Sequence, residues 1–338
     1  MKKIIRLTLL VLLLNITFAQ SVSKVGTSSA KFLSVPVDAR GTSMGQAVVT
    51  GFNDPSTLFW NPSTIAYLSE RSIHFSYTKW FEDINFKYFV GVFPAGSIGT
   101  FGVNVTYFQT DPMEVTTEMA QEGTGEYFTV GSYAIGVAFA RQLTVDFAIG
   151  SNIKYIMENI YHMSATGVAM DIGVRYLTPW RGIRLGFSIR NFGTKMHMIG
   201  EDLLTTVDPD PMNSGNNDVI NAYYATDKFD LPLNMTIGLA WDVINSNNSR
   251  LTFEVDGLYP SDNYERVNAG LEMSILKEMI YLRTGVANLF LDSIDPYFSV
   301  GAGIRYSILG NMNLCVDYAY QTHEYFSKNE HISVTITF

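Results

Sequence analysis

From Ile73 onward, apolar and polar side chains alternate at a period of two, the spacing of a β-strand with unlike faces. The pattern predicts fourteen strands, near residues 72–80, 85–94, 98–108, 129–141, 143–157, 164–177, 182–191, 232–243, 249–258, 264–275, 278–288, 296–307, 311–321 and 329–338. The sixth sets Val168, Met170, Ile172, Val174 and Tyr176 against Ala169, Asp171, Gly173 and Arg175. The last sets Ile332, Val334, Ile336 and Phe338 against His331, Ser333, Thr335 and Thr337. Two architectures give this pattern. In a soluble sandwich the apolar face looks into a core. In an outer-membrane barrel it looks at lipid, and the polar face lines a lumen.

The connections decide between them. Ala95–Ser97, Pro179–Arg181, Asn245–Asn248, Leu276–Lys277 and Leu309–Gly310 are tight turns, whereas 109–128 and 192–231 are long. Short turns on one rim and long loops on the other are the outer-membrane barrel arrangement. An even strand number brings both ends of the wall to the short-turn, periplasmic rim. Trp80, Tyr176, Trp180, Tyr306 and Tyr320 fall near strand ends, where interfacial girdles sit. The expected fold is therefore all-β and transmembrane: a 14-stranded antiparallel outer-membrane β-barrel.

Strands about 4.8 Å apart and tilted about 40° close fourteen-fold into a ring roughly 27 Å across, with a lumen on the order of 15 Å wide. Such a lumen holds water or a plug. The parity of the strands turns Asp171, Arg175, Arg184, Arg190, Glu254, Asp256, Arg266, Glu272, Arg283, Arg305 and Asp317 inward. Their mixed signs suit a salt-bridged interior. A conduit for a charged solute, or a docking surface for the N-terminal segment, would use the same groups.

The segment before the first strand reads differently. "GTSMGQAVVTGFNDPSTLFWNPSTIAYL" (Gly41–Leu68) is apolar without a period of two and is broken by glycines and prolines. Asp54-Pro55 and Asn61-Pro62 are cap and first-turn pairs. The expectation is a short helix near 42–50, a turn at Gly51–Asp54, and helical turns near 55–60 and 62–67. Residues 20–71 form a mostly helical plug starting from the periplasmic rim, and residues 72–338 form the wall.

Composition narrows the setting. Lys2, Lys3 and Arg6 precede the apolar run Leu7–Leu14, and Thr17-Phe18-Ala19 offers small residues at the −3 and −1 positions. Residues 1–19 read as a secretory signal peptide, too short to span about 30 Å of hydrocarbon. Losing the leader's three cations takes the formal charge from −9 to −12, which speaks against nucleic acid as a partner. A single cysteine, Cys315, excludes an internal disulfide framework.

The same N-terminal residues carry a family resemblance. Ala39-Arg40, Ser43-Met44-Gly45-Gln46-Ala47, Asn53-Asp54-Pro55 and Trp60-Asn61-Pro62 resemble the signature of the PorV/PorQ outer-membrane barrels, which share a 14-strand superfamily with the fatty-acid transporter FadL. Asp38, Ser43, Gln46 and Ser63-Thr64 depart from the pattern. On this resemblance Arg40, Met44, Gly45, Asn53, Asp54, Trp60, Asn61 and Pro62 are the signature residues. It implies a part in type IX secretion, with a translocon barrel and secreted cargo proteins as partners. The alternative it implies is a FadL-like transporter of long-chain fatty acids or other hydrophobic solutes, which needs an apolar pocket beside the plug and a lateral gap in the wall. An open porin conflicts with a plug.

No catalytic set is visible. His74, His162, His197, His323 and His331 lack metal-ligand spacing, and "MHM" (Met196–Met198) reads as loop. "VDPDPMNSGNNDV" (Val207–Val219) lacks the order of a calcium loop. Walker and G-x-S-x-G motifs are absent. Cys315 is placed inward as a packing residue. The expectation is a non-enzyme without cofactor or metal, in outer-membrane lipid.

Overall fold

Backbone groups in hydrocarbon must be bonded within the protein, and a sheet achieves this only by closing on itself. Fourteen long strands do so here: β1 (Ser72–Lys79), β2 (Asn85–Pro94), β3 (Thr100–Gln109), β4 (Val130–Gln142), β5 (Phe147–Ile160), β6 (Met163–Leu177), β7 (Arg184–Gly193), β8 (Asn234–Asn245), β9 (Ser249–Pro260), β10 (Arg266–Ile275), β11 (Ile280–Leu289), β12 (Tyr297–Ser307), β13 (Asn313–Gln321) and β14 (Asn329–Thr337). Each pairs antiparallel with its sequence neighbour, and β1 closes the ring on β14 in the register Ser72↔Thr337 to Lys79↔Glu330. The structure, a computed structural model, describes residues 24–338 apart from 52, 82–83, 181, 213–216, 218, 292–295, 309–311 and 323–328. The expected leader and His323 lie outside the described residues.

Burial along the wall is inverted relative to a soluble protein. On β1, Ser72, His74, Ser76 and Thr78 are buried while Phe75 is exposed. Ile237 is 66% exposed, and Phe298, Val300 and Ile304 on β12 are also bare. Buried polar and exposed apolar faces suit hydrocarbon outside and hydrogen-bonding partners inside. A sandwich core would require the reverse.

The connections after β2, β4, β6, β8, β10 and β12 are short, and those after β3 and β7 are long. The β3–β4 connection folds as a ladder between Met113–Glu114 and Tyr127–Phe128. The β7–β8 connection pairs Ile199–Gly200 with Met163–Ser164 of β6 and forms a hairpin of Leu204–Val207 with Ile220–Tyr223. The wall has a register shift between Met170 and Ile172, where β6 meets β7.

Two expectations change. Trp80 has the inward parity of His74, Ser76 and Thr78, and its ring meets buried His331 at 6.4 Å, so it is no part of a lipid-facing girdle. The N-terminal segment also does not start from the short-turn rim. Ser29 N–H donates to the Asp230 carbonyl (3.0 Å), and Ala30 N–H donates to Glu158 (3.1 Å), both at the long-loop rim. From there the chain descends through the ring to Arg71, whose carbonyl accepts from Phe338 N–H at the other rim.

Candidate functional site in the barrel lumen

Residues 24–71 hold four short helices joined by turns and extended chain. The α-helix α1 runs over Ala39–Ser43, earlier and shorter than the 42–50 expected. Its cap is Asp38, whose carboxylate accepts from Gly41 N–H at 2.7 Å. It stops because Gly45 (φ +63°) and Gln46 (φ +65°) turn left-handed. The 3₁₀ turns Pro55–Phe59 and Pro62–Tyr67 are capped by Asp54 and Asn61, which accept from Ser56 N–H (2.9 Å) and Ser63 N–H (3.1 Å). Proline at the first position of each leaves no unbonded N–H there.

Asp38 binds these turns together. It also accepts from Trp60 Nε1–H at 2.9 Å and from the Ser56 hydroxyl at 3.1 Å. A buried carboxylate needs such donors to offset desolvation. Asn61 gives Nδ2–H bonds to the Val49 carbonyl (2.8 Å) and to the Val174 carbonyl of β6 (3.0 Å). Trp60-Asn61-Pro62 is thus fully buried against the inner wall. Asn53 is exposed and lines a cavity of about 240 Å³ at the short-turn mouth with Tyr67 and Arg305.

The wall residues turned inward by parity have two kinds of partner. Some pair with one another: Asp171 with Lys154 (2.8 Å), Arg184 with Asp242 (2.6 and 3.0 Å), and Arg283 with Asp317 (2.6 Å). Others hold the lumenal segment. Asp256 accepts from Val48 and Val49 N–H (2.8 and 2.9 Å), and Glu254 from Thr50 N–H (2.8 Å). Glu272 takes Arg40 (2.9 and 3.2 Å), Arg250 (3.1 Å) and Arg283 (2.7 Å). Arg190 lies 4.8 Å from the Phe59 ring centroid and 5.2 Å from that of Trp60, and Arg175 lies 4.2 Å from that of Tyr67, within cation–π range. Arg305, 35% exposed, reaches Glu278 at 3.4 Å near the mouth, and Cys315 lies 3.4 Å from Asp317.

Close approach is built into the wall as well. A Cβ on inward Gly285 would overlap the backbone of Met44 and Gly45, and one on Gly173 would overlap Asn61. Gly45, in turn, lies against the Val286 backbone, where a Cβ would come within 2.5 Å of Val286 N. Buried Met44 adds a small apolar contact with Val48 and Trp60.

Parity did not reveal the second character of the lumen. On the β2–β6 flank the inner wall also carries an apolar cluster, beside the Asn104–Asn152–Asp171 network: Phe86, Tyr88, Val90, Val92, Ala134, Ala138 and Ile156 pack against Phe32, Leu33, Val37, Leu58 and Ile65. Met196 of the "MHM" stretch also turns inward to this cluster. Sequence reading also passed over Asp38, Lys154, Arg250 and Asp242. The last three carried a usable signal: Lys154 shares the parity of Asn152, Arg250 that of Thr252 and Glu254, and Asp242 that of Thr236.

At the long-loop rim, Ser28 and Lys31 both donate to Asp262, the lysine at 2.5 Å. Burial alone would raise the Asp262 carboxyl, but hydrogen bonds from Lys31 and Ser28, with the lysine's charge, hold it below the ordinary carboxylate range. Pairing of β7 with β8 stops at Arg190↔Asn234. Beyond that point lies a cavity of about 350 Å³ lined by Thr27, Ser28, Phe192, Gly193, Leu231 and Leu233, among others. A further cavity of about 710 Å³ lies in the β7–β8 loop, with Met198, Ile199, Leu203, Tyr223 and Tyr224 in its lining beside His162 and His197. No group of three potential metal ligands occurs among the described residues.

No family model matches this chain, including any for the barrels its N-terminal motif resembles, and no curated protein matches it. Solved structures do. A FadL homologue of Pseudomonas aeruginosa is 13% identical, with a TM-score of 0.55 over 90% of this chain and 98% of that one. The CymD monoaromatic hydrocarbon channel is 12% identical, with a TM-score of 0.57 over 90% and 97%. The Pseudomonas putida toluene transporter TodX is 11% identical, with a TM-score of 0.55 over 88% and 95%. At such identities the likeness is one of fold. The chain is a closed 14-strand antiparallel β-barrel of the outer-membrane type, with the fold of FadL-like channels.

Proposed function

We propose that this chain is an outer-membrane channel for small hydrophobic solutes, with residues 20–71 as its plug and 72–338 as its wall. The observation that carries the reading is the apolar flank. In a lumen otherwise lined by ions and amides, strands β2, β4 and β5 offer a cluster of apolar side chains to Leu33, Val37, Leu58 and Ile65, interrupted by Asn104, Asn152 and the Lys154–Asp171 pair. A water-filled porin has no use for such a surface, because apolar area in contact with water costs about 25 cal/mol per Å². The solved structures of similar fold include a monoaromatic hydrocarbon channel and a toluene transporter, which supports the same substrate class. The aromatic-lined loop cavity is the outer mouth, and the cavity past Arg190↔Asn234 is where the wall pairing leaves room for a lateral gap. The reading assigns no catalysis. The secretion role implied by the signature resemblance, with its translocon and cargo partners, rests on that resemblance alone.

The test is uptake. A deletion strain complemented with wild type or with Ala138→Trp, which fills the apolar flank, is given labelled toluene and labelled oleate. Wild type restores uptake of at least one, and the tryptophan variant, present at equal level in the membrane, does not. Equal uptake of both solutes in the deletion strain and the wild type would sink the reading.

A further inference from the structure

Charge is divided unevenly between the two rims. The β3–β4 connection holds Asp111, Glu114, Glu118, Glu122 and Glu126 with no lysine or arginine, and all five are exposed. The β7–β8 connection holds seven acidic residues against Lys195 and Lys228. Together the two carry a formal charge of −10, against −12 for the chain without its first 19 residues. The short connections at the other rim set Asp146 and Glu278 against Arg181 and Lys277, a balance of zero. The negative field of the molecule therefore stands over its outer mouth. The two long loops adjoin at the loop cavity. Tyr161 donates to Glu126 at 3.2 Å, and the next residue, His162, lines the cavity and lies 3.1 Å from Asp202. The cavity lining sets Glu201 against Lys228, and Lys195 is held by Asp230 at 2.9 Å.

The apolar flank gives an anion no counter-ion either. Lys154, at the inward position next to Ile156, is taken by Asp171 at 2.8 Å. Arg190 donates to the Phe59 carbonyl at 3.3 Å and lies against the Phe59 and Trp60 rings. Lys31 is held by Asp262. Tyr88, 1% exposed, brings into the cluster a hydroxyl with no hydrogen-bond partner among the described residues. That is a neutral group, where a buried carboxylate would need a paired cation.

We propose that the channel is selective for uncharged hydrophobic solutes and turns away their carboxylates. The inference rests on the channel reading above and narrows its substrate class: hydrocarbons and long-chain alcohols pass, and fatty-acid anions do not. The two barriers act in series. The acidic loops lower an anion's concentration at the mouth, and the flank leaves its charge unpaired if it enters.

Matched pairs test it. Uptake of labelled toluene against 4-methylbenzoate, and of oleyl alcohol against oleate, is measured at low ionic strength as the difference between complemented and deletion strains. Wild type should favour the neutral member of the transported pair by at least about tenfold, the lower end of the range for charge-focused mouths. Asp111→Asn combined with Glu114→Gln, Glu118→Gln, Glu122→Gln and Glu126→Gln keeps the loop's shape. It should narrow that preference by raising carboxylate uptake, with neutral uptake unchanged. Heat-modifiable migration on gels confirms a folded barrel. Raising the salt to 0.5 M, where the Debye length is about 4 Å, should narrow the wild-type preference in the same way. Uptake of a carboxylate equal to or above that of its neutral partner overturns the inference and leaves the channel reading standing, as does a preference that neither the variant nor salt moves. Absence of uptake for all four solutes overturns both.

Discussion

Glu272 is the place to strike the charged flank. Its two oxygens serve three guanidinium groups, those of Arg40, Arg250 and Arg283, at 2.7–3.2 Å, and it is 2% exposed. Glu272→Gln keeps the shape and removes the charge. Taking one partner from a buried ionic cluster typically costs about 3–5 kcal/mol. Arg283 would keep Asp317 at 2.6 Å, Arg250 would keep Glu278 at 3.3 Å, and Arg40 would keep Asp54 at 3.9 Å. The expected loss is therefore near the lower bound, about 3 kcal/mol. Urea unfolding of the micelle-folded barrel, followed by tryptophan fluorescence and extrapolated linearly, measures it. Arg40→Gln completes a double-mutant cycle. Arg40 belongs to the lumenal segment and Glu272 to the wall, so a coupling of about 1–2 kcal/mol would report that the segment is held by the wall. A loss under about 0.5 kcal/mol for Glu272→Gln, within the ordinary range for surface changes, would refute the buried cluster. A coupling near zero would refute the anchoring.

Two further outcomes follow from the same contacts. Gly173→Val drives a side chain into Asn61, so the barrel should lose about 1–3 kcal/mol or more to overpacking and leak small ions in planar bilayers; unchanged stability with a silent bilayer would contradict the close approach. The Asp262 clasp should open in acid. Its carboxyl is depressed in the folded state, so its contribution is complete above about pH 4 and is lost as pH falls through the folded value. Hydrogen exchange at residues 24–31 should accordingly rise below that pH in wild type but be fast at every pH in Lys31→Met, and a pH-independent wild-type profile would contradict it.

What was legible in the sequence follows from a single contrast. Where one face is apolar and the other polar, as on β6 and β14, a period of two places every side chain. Asp171, Glu254, Asp256 and Glu272 could therefore be turned inward from the sequence alone. The contrast fails on β2. There the inward set Phe86, Tyr88, Val90 and Val92 alternates with outward Phe89 and Phe93, and two apolar faces carry no phase. The apolar flank was hidden for that reason. Arg40 and Glu272, 232 residues apart, could each be read as charged and buried, but no local pattern joins them. α1 was misplaced because Asp38 caps it without a following proline, whereas Asp54-Pro55 and Asn61-Pro62 announce themselves.

The two flanks divide the work of the proposed channel on energetic grounds. From Ala39 to Pro62 the segment is fixed by directional contacts: carboxylates on Val48, Val49 and Thr50 N–H, the Arg40–Glu272 pair, and backbone seated against Gly173 and Gly285. Moving that part would leave buried donors and charges unmet, at about 1–3 kcal/mol for each neutral group and more for each charge. Residues 30–37 depend on Phe32, Leu33 and Val37 resting on apolar wall, together with the Ala30–Glu158 bond and the Lys31–Asp262 clasp at the rim. Apolar contact is non-directional, so a hydrocarbon entering between Leu33 and the β2–β6 wall replaces it like for like and strands no polar atom. The route of least cost therefore runs past residues 30–37 and leaves 39–62 in place. Cross-linking residue 33 to the β4 wall should block uptake, whereas cross-linking residue 45 to residue 286 should leave uptake intact. The opposite pattern would place the path on the charged side.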